Sequence, residues 1–142
     1  MPDKLLISNL TAKCQIGLTE EERATPQTVW IDVELAIDVA KAAYRDRVQD
    51  TAVDYAEVVS EVRGIAQRTP YNLLETLADH VATFLLGRFR VPWVRVKVKK
   101  RALPGIDHAA VEVERRLARP IRSRPGSAST RVRRRERALS RR

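Results

Sequence analysis

The 142 residues include one cysteine, two histidines and five glycines, and aromatic side chains make up only 5%. Each scarcity removes a class of protein. Cys14 has no second cysteine to pair with, so no internal disulfide can brace the fold, and the chain reads as a cytoplasmic one, at home in a reducing compartment. His80 and His108, with no acidic cluster at ligand spacing, give little from which to build a metal site; no metal is expected. No apolar run reaches the length of about 18 residues that a spanning helix needs, so no membrane span is expected. The opening MPDKLLISNL lacks the basic-then-apolar pattern of a secretory leader.

Positive charge is what the chain has in excess, a formal +9 from 27 Lys and Arg against 18 Asp and Glu. Its distribution is lopsided. From Leu117 onward, ten arginines and the lone Glu136 account for the whole excess and leave residues 1–116 neutral. That final stretch is rich in Arg, Ser and Pro and too poor in large apolar residues to bury a core. We therefore expect a folded domain over 1–116, long enough to enclose a core, and an Arg-rich disordered tail over 117–142. The tail suits a nonspecific contact with nucleic acid or an anionic membrane; like-charge arms of this kind are more often solubilising extensions with no specific partner.

Within the body, Val29, Ile31, Val33, Leu35 and Ile37 alternate with Trp30, Asp32, Glu34 and Asp38, the mark of a half-buried antiparallel strand over Thr28–Asp38. Lys4–Gly17 alternates more loosely and reads as its hairpin partner. Between Asp54 and Arg68, Val58, Val59, Val62, Ile65 and Ala66 recur at helical spacing, and Thr69 and Pro70 stop the helix. A second helix is predicted from about Asn72 to Gly87, with Asn72 as N-cap, Glu75 as its capping-box partner and Gly87 as C-cap. Two strands follow, WVRVKVKK (93–100) and AAVEVERR (109–116). The fold class is therefore α+β, a ββααββ order with both helices on one face of a four-stranded antiparallel sheet.

Strand parity singles out one lysine. Val94, Val96 and Val98 share a face and Arg95, Lys97 and Lys99 share the other; one further step puts Lys100 on the valine face. A lysine drawn onto an apolar face loses solvation, which suits it to proton transfer or Schiff-base chemistry; a strand that stops at Lys99 would instead let Lys100 snorkel into water. Glu75 beside Leu73 and Leu74 is either a capping residue or a carboxylate able to accept two parallel N–H bonds from a ligand. Taken alone, Glu20, Glu21 and Glu22 read as surface charges and Tyr55 as a packing residue.

In order, IGLTEEERATPQ (16–27), DTAVDYAEV (50–58), YNLLETLAD (71–79), VRVKVKK (94–100) and AVEVER (110–115) resemble the dihydroneopterin aldolase family. The resemblance spans the neutral body and none of the tail. It implies the T-fold, whose sheets join edge to edge into a barrel of four subunits, with two rings stacking as an octamer. It implies retro-aldol cleavage of a pterin substrate, 7,8-dihydroneopterin, without cofactor or metal. It further implies that Glu75 and the backbone of Leu74 hold the pterin edge, that Lys100 is the general acid/base, and that Tyr55 and Glu22 act at the substrate's side chain, Tyr55 from a neighbouring subunit. Arg101 stands where the family usually has proline; in the related dihydroneopterin triphosphate epimerase reading it would meet a triphosphate. A second alternative is an oligomeric scaffold that binds nucleic acid through the tail.

Overall fold

The computed structural model describes residues 3–118. Two hairpin strands open it, β1 (Lys4–Cys14) and β2 (Gln27–Ala36), with a short helix α1 (Glu20–Ala24) between them. A further short helix α2 (Ala40–Arg45) and a single 3-10 turn lead to the two long helices, α3 (Tyr55–Arg68) and α4 (Leu74–Phe89). Strands β3 (Trp93–Lys100) and β4 (Ala109–Arg116) complete the chain's sheet, antiparallel throughout in the order β1-β2-β3-β4. The expected ββααββ architecture is present; α1 and α2, too short to show a period, were not anticipated.

Alternation decides which face is dry. Val29, Ile31, Val33 and Leu35 of β2 and Val94, Val96 and Val98 of β3 are almost fully enclosed. They pack under Val58, Val62 and Ile65 of α3 and Leu77, Val81 and Leu85 of α4 in one core. The opposite face is polar and crossed by ion pairs. Arg95 bridges Glu34 at 3.3 Å and Glu114 at 2.8 Å, and Lys99 meets Asp32 at 3.1 Å. Register between β1 and β2 shifts between Ile7 and Leu10, where Asn9 takes a left-handed φ of 53°, a conformation asparagine tolerates.

The second long helix departs from expectation at both ends. It starts two residues later than predicted, with Leu73 at the cap position in extended conformation and making no side-chain hydrogen bond to the helix. The cause lies just upstream: Tyr71 N–H donates to Gln15 O at 2.8 Å and Gly17 N–H donates to Tyr71 O at 3.1 Å. This parallel bridge between Ile16 and Tyr71 keeps the chain extended where Asn72 would have capped. At the other end Gly87 stays inside the helix and Arg90 takes the left-handed closing position, φ 53°, because Phe89 still packs against the core.

Candidate active site

The sheet end at Lys100, the β1 exit at Ile16 and the start of α4 converge on a cavity of about 350 Å³. It is lined by Ile16, Gly17, Leu18, Glu22, Leu73, Leu74, Glu75, Lys100 and Leu103, among others. Its size suits a small heterocycle, and its apolar wall with a few convergent charged groups is the usual composition of a ligand pocket.

Lys100 is where parity put it. Among the described residues it is the one charged residue buried as a whole, 8% exposed counting backbone and side chain together. Its Nζ lies 3.3 Å from Glu22 Oε2. The other oxygen of Glu22 accepts from Leu18 N–H at 3.0 Å. That backbone donor, then Lys100, hold the Glu22 carboxyl below its ordinary value, so the carboxylate is ionised. The nearby Cys14 goes the other way: burial pushes its thiol up to about 11, with the Lys100 charge only partly opposing. The group beside the ammonium is thus a neutral thiol.

Glu75 lines the same cavity from the first turn of α4. Since the helix begins at Leu74, Glu75 is its second residue and closes no capping box, contrary to the expected alternative. No hydrogen bond or ion pair from the described residues occupies its carboxylate, and the first backbone N–H groups of the helix lie beside it with no partner within the helix. A ligand presenting two adjacent N–H groups and an acceptor would satisfy both.

Tyr55 does not join this cavity. It begins α3 and is 66% exposed, hence no packing residue. The far end of that 14-residue helix meets Tyr71, whose hydroxyl donates to Ile65 O at 2.9 Å and whose backbone is bonded to Gly17 of the pocket wall, so about 20 Å of helix separates Tyr55 from the pocket of its own chain. Arg101 continues the parity of Lys99 and is exposed, and it is absent from the pocket wall.

Several contributors carry no sequence signal of their own. Gln27 Nε2 donates to Ile16 O at 2.7 Å and Arg23 Nη1 to Gly17 O at 2.8 Å. Gly17 has no room for a side chain: a Cβ there would lie 2.7 Å from Glu22 Cδ and 2.8 Å from Oε1. All three fall within IGLTEEERATPQ, so the stretch was visible although the separate roles were not.

A buried lysine on the last step of a sheet and a carboxylate at a helix start thus line one small cavity of a ββααββ fold, an arrangement suited to acid–base chemistry on a bound heterocycle. The model of the family described as FolB, dihydroneopterin aldolase, matches residues 5–115. The dihydroneopterin aldolase of Escherichia coli K12 is 36% identical over 111 residues, 78% of this chain and 88% of the relative. The E. coli aldolase solved in complex with neopterin superposes with a TM-score of 0.76 at 34% identity, covering 80% of this chain and 98% of that one. A Burkholderia aldolase structure bound to guanine gives 0.65 at 32% identity, covering 82% and 92%. The chain belongs to the dihydroneopterin aldolase family, a family of aldehyde-lyases. No helix among the described residues is long and apolar enough to cross a membrane.

Proposed function

We propose that the protein cleaves 7,8-dihydroneopterin by a retro-aldol reaction to 6-hydroxymethyl-7,8-dihydropterin and glycolaldehyde, in the cytoplasm. The observation that carries this reading is the buried Lys100 paired with Glu22 across one small cavity from the free carboxylate of Glu75. The relative solved with neopterin supports a pterin in that cavity.

Glu75 accepts the 2-amino and N3 hydrogens of the pterin as a bidentate pair, and the Leu74 backbone completes the edge. This leaves the three-carbon side chain toward Lys100 and Glu22. A water held by Lys100 takes the proton of the 2′-hydroxyl; the C1′–C2′ bond breaks, C2′ becomes the aldehyde carbon of glycolaldehyde, and the electron pair passes into the C6–N5 imine of the pterin. Return of a proton to C1′ gives the hydroxymethyl product, so the ring serves as its own electron sink. Glu22 holds the Lys100 ammonium in reach of both positions.

Copies of the domain, residues 1–116, assemble edge to edge into a four-subunit barrel or a stacked octamer. Supporting this, the sheet's two edges, β1 and β4, carry no strand partner among the described residues, and such edges demand cover. The polar, ion-paired face then lines the barrel interior. The neighbour supplies Tyr55, which its own chain keeps a helix length from the pocket. Arg101, standing off the pocket wall, favours the unphosphorylated substrate over a triphosphate. The Arg-rich segment enters no step, and residues 119–142 lie outside those described.

The test is product analysis with 7,8-dihydroneopterin and its triphosphate side by side. Glycolaldehyde release from the former is expected, falling by about 10²–10⁴-fold in Lys100→Ala and failing in Glu75→Ala through lost binding. Wild-type turnover in both variants would sink the site assignment; isomerisation of the triphosphate without glycolaldehyde would establish the epimerase.

A further inference from the structure

Glu22 sits on a helix of only five residues, with its side chain 45% exposed, where a glutamate ordinarily samples many rotamers. Here the carboxylate is fixed at both oxygens, and one of its two donors is a backbone amide. That amide, Leu18 N–H, belongs to the same planar unit as the carbonyl of Gly17. The Gly17 carbonyl accepts from Arg23 Nη1 at 2.8 Å while Leu18 N–H donates to Glu22 Oε1 at 3.0 Å. Two residues adjacent in sequence therefore grip opposite ends of one peptide plane. Rotation of the plane breaks both bonds together.

The preceding peptide is pinned in the same way, with Gln27 on the Ile16 carbonyl at 2.7 Å and Tyr71 O accepting from Gly17 N–H at 3.1 Å. Arg23 is half-buried, lies outside the pocket wall and makes no ion pair among the described residues. Its backbone carbonyl is held in turn by Gln15 Nε2 at 3.1 Å. A cation on a carbonyl polarises the amide and strengthens the bond its N–H donates. The charged groups that face Glu22 are Lys100 from β3 and, across the cavity, Glu75 from α4; Glu20, Glu21 and Arg23 share its helix.

We propose that Arg23 is a positioning residue for the aldol-cleavage site, acting on Glu22 and Lys100 through the Gly17–Leu18 peptide. It touches no substrate. Without it the peptide turns, Glu22 loses its backbone donor, and the carboxylate ceases to hold the ammonium on the line to the substrate's side chain. The inference rests on the proposed reaction for its catalytic consequence and on geometry alone for its effect on Glu22.

The experiment separates those two parts. Carboxyl-carbon NMR titration of Glu22 in the ligand-free, full-length protein reads the clasp with no turnover. The Glu22 midpoint is expected to rise toward the ordinary 4.5 in Arg23→Ala and to stay low in Arg23→Lys, which keeps the charge and a donor. In parallel, kcat for 7,8-dihydroneopterin should fall by about 10²-fold in Arg23→Ala, the cost of a displaced catalytic group, with KM nearly unchanged and most of the rate restored in Arg23→Lys. An unmoved Glu22 midpoint in Arg23→Ala, or a lower melting temperature with kcat intact, overturns the proposal. A wild-type protein that shows the Glu22 response and no cleavage refutes the assigned reaction and upholds the clasp. Should Arg23→Ala not fold, Arg23→Gln, with a neutral and shorter donor, takes its place under the same criteria.

Discussion

Replacing Lys100 by methionine separates chemistry from stability. The side chain is 10% exposed, its stem continues the valine face of β3, and its ammonium meets one carboxylate, Glu22, which is 45% exposed. Burying an ammonium carries a solvation penalty that a single partner offsets only in part, and apolar replacement of such pairs is often neutral or stabilising. Removing one member of an enclosed pair usually costs about 3–5 kcal/mol because the other charge is stranded; Glu22 is open to water and is not stranded. Methionine matches the volume and flexibility of the stem. The net change should fall within about 1 kcal/mol of zero, or about 4 °C in melting temperature for a domain of this size. Turnover should drop by about 10²–10⁴-fold, the usual share of a positioned acid/base. Glycolaldehyde quantification and a thermal scan on one preparation decide the matter. A variant that melts more than 10 °C lower, or that keeps its turnover, would refute this account of Lys100.

Gly17→Ala sets a Cβ against both the Cβ and the carboxyl of Glu22; rotating the Glu22 side chain cannot clear its own Cβ, so the backbone around Gly17 and α1 must shift with it, and kcat should fall by about 10²-fold, with neopterin affinity measured by calorimetry little changed. Acid stability follows from three carboxyls held below their ordinary values: Glu22 by Leu18 N–H and Lys100, Glu114 by Arg95 and Trp93, and Asp32, where Asn9 and Lys99 outweigh the opposing effect of burial. Depressed values stabilise the fold above the ordinary range and lose that contribution as pH falls through them, so melting temperature should be level from pH 8 to 6 and decline below about 4.5; a flat profile to pH 3 would contradict the pairing. Mixing inactive Tyr55→Phe and Lys100→Met proteins, followed by subunit exchange, should restore activity because some interfaces then combine two intact halves. No recovery despite confirmed mixed oligomers would place both residues in one subunit's site.

Much of this site was legible wherever periodicity governs. Parity alone placed Lys100 on the dry face, since a strand offers two directions and the valines had already claimed one. Glu75 was located by its helix, yet the capping role weighed for it failed because Tyr71, bonded to Gln15 and Gly17, holds the chain extended past Asn72. No local propensity encodes that long-range bridge. The same limit hid Arg23 and Gln27, whose donors end on carbonyls fixed by loop geometry, and disguised Tyr55 as a packing residue. A helix that seemed to stop at Gly87 ran on to Phe89 because packing against the core outweighs the preference of a glycine for a terminus.

The placement of Lys100 at the last paired step of β3 also limits how this chain can change over evolutionary time. Side chains alternate with a period of two, so one residue gained or lost between Trp93 and Lys99 would deliver the ammonium to the wrong side of the sheet while leaving its chemistry intact. Point substitutions along β3 are graded in their effect; a change in its length is all or nothing. The 101–108 loop, between the end of β3 and the start of β4, lies beyond the lysine, so a change in its length leaves the parity of Lys100 untouched.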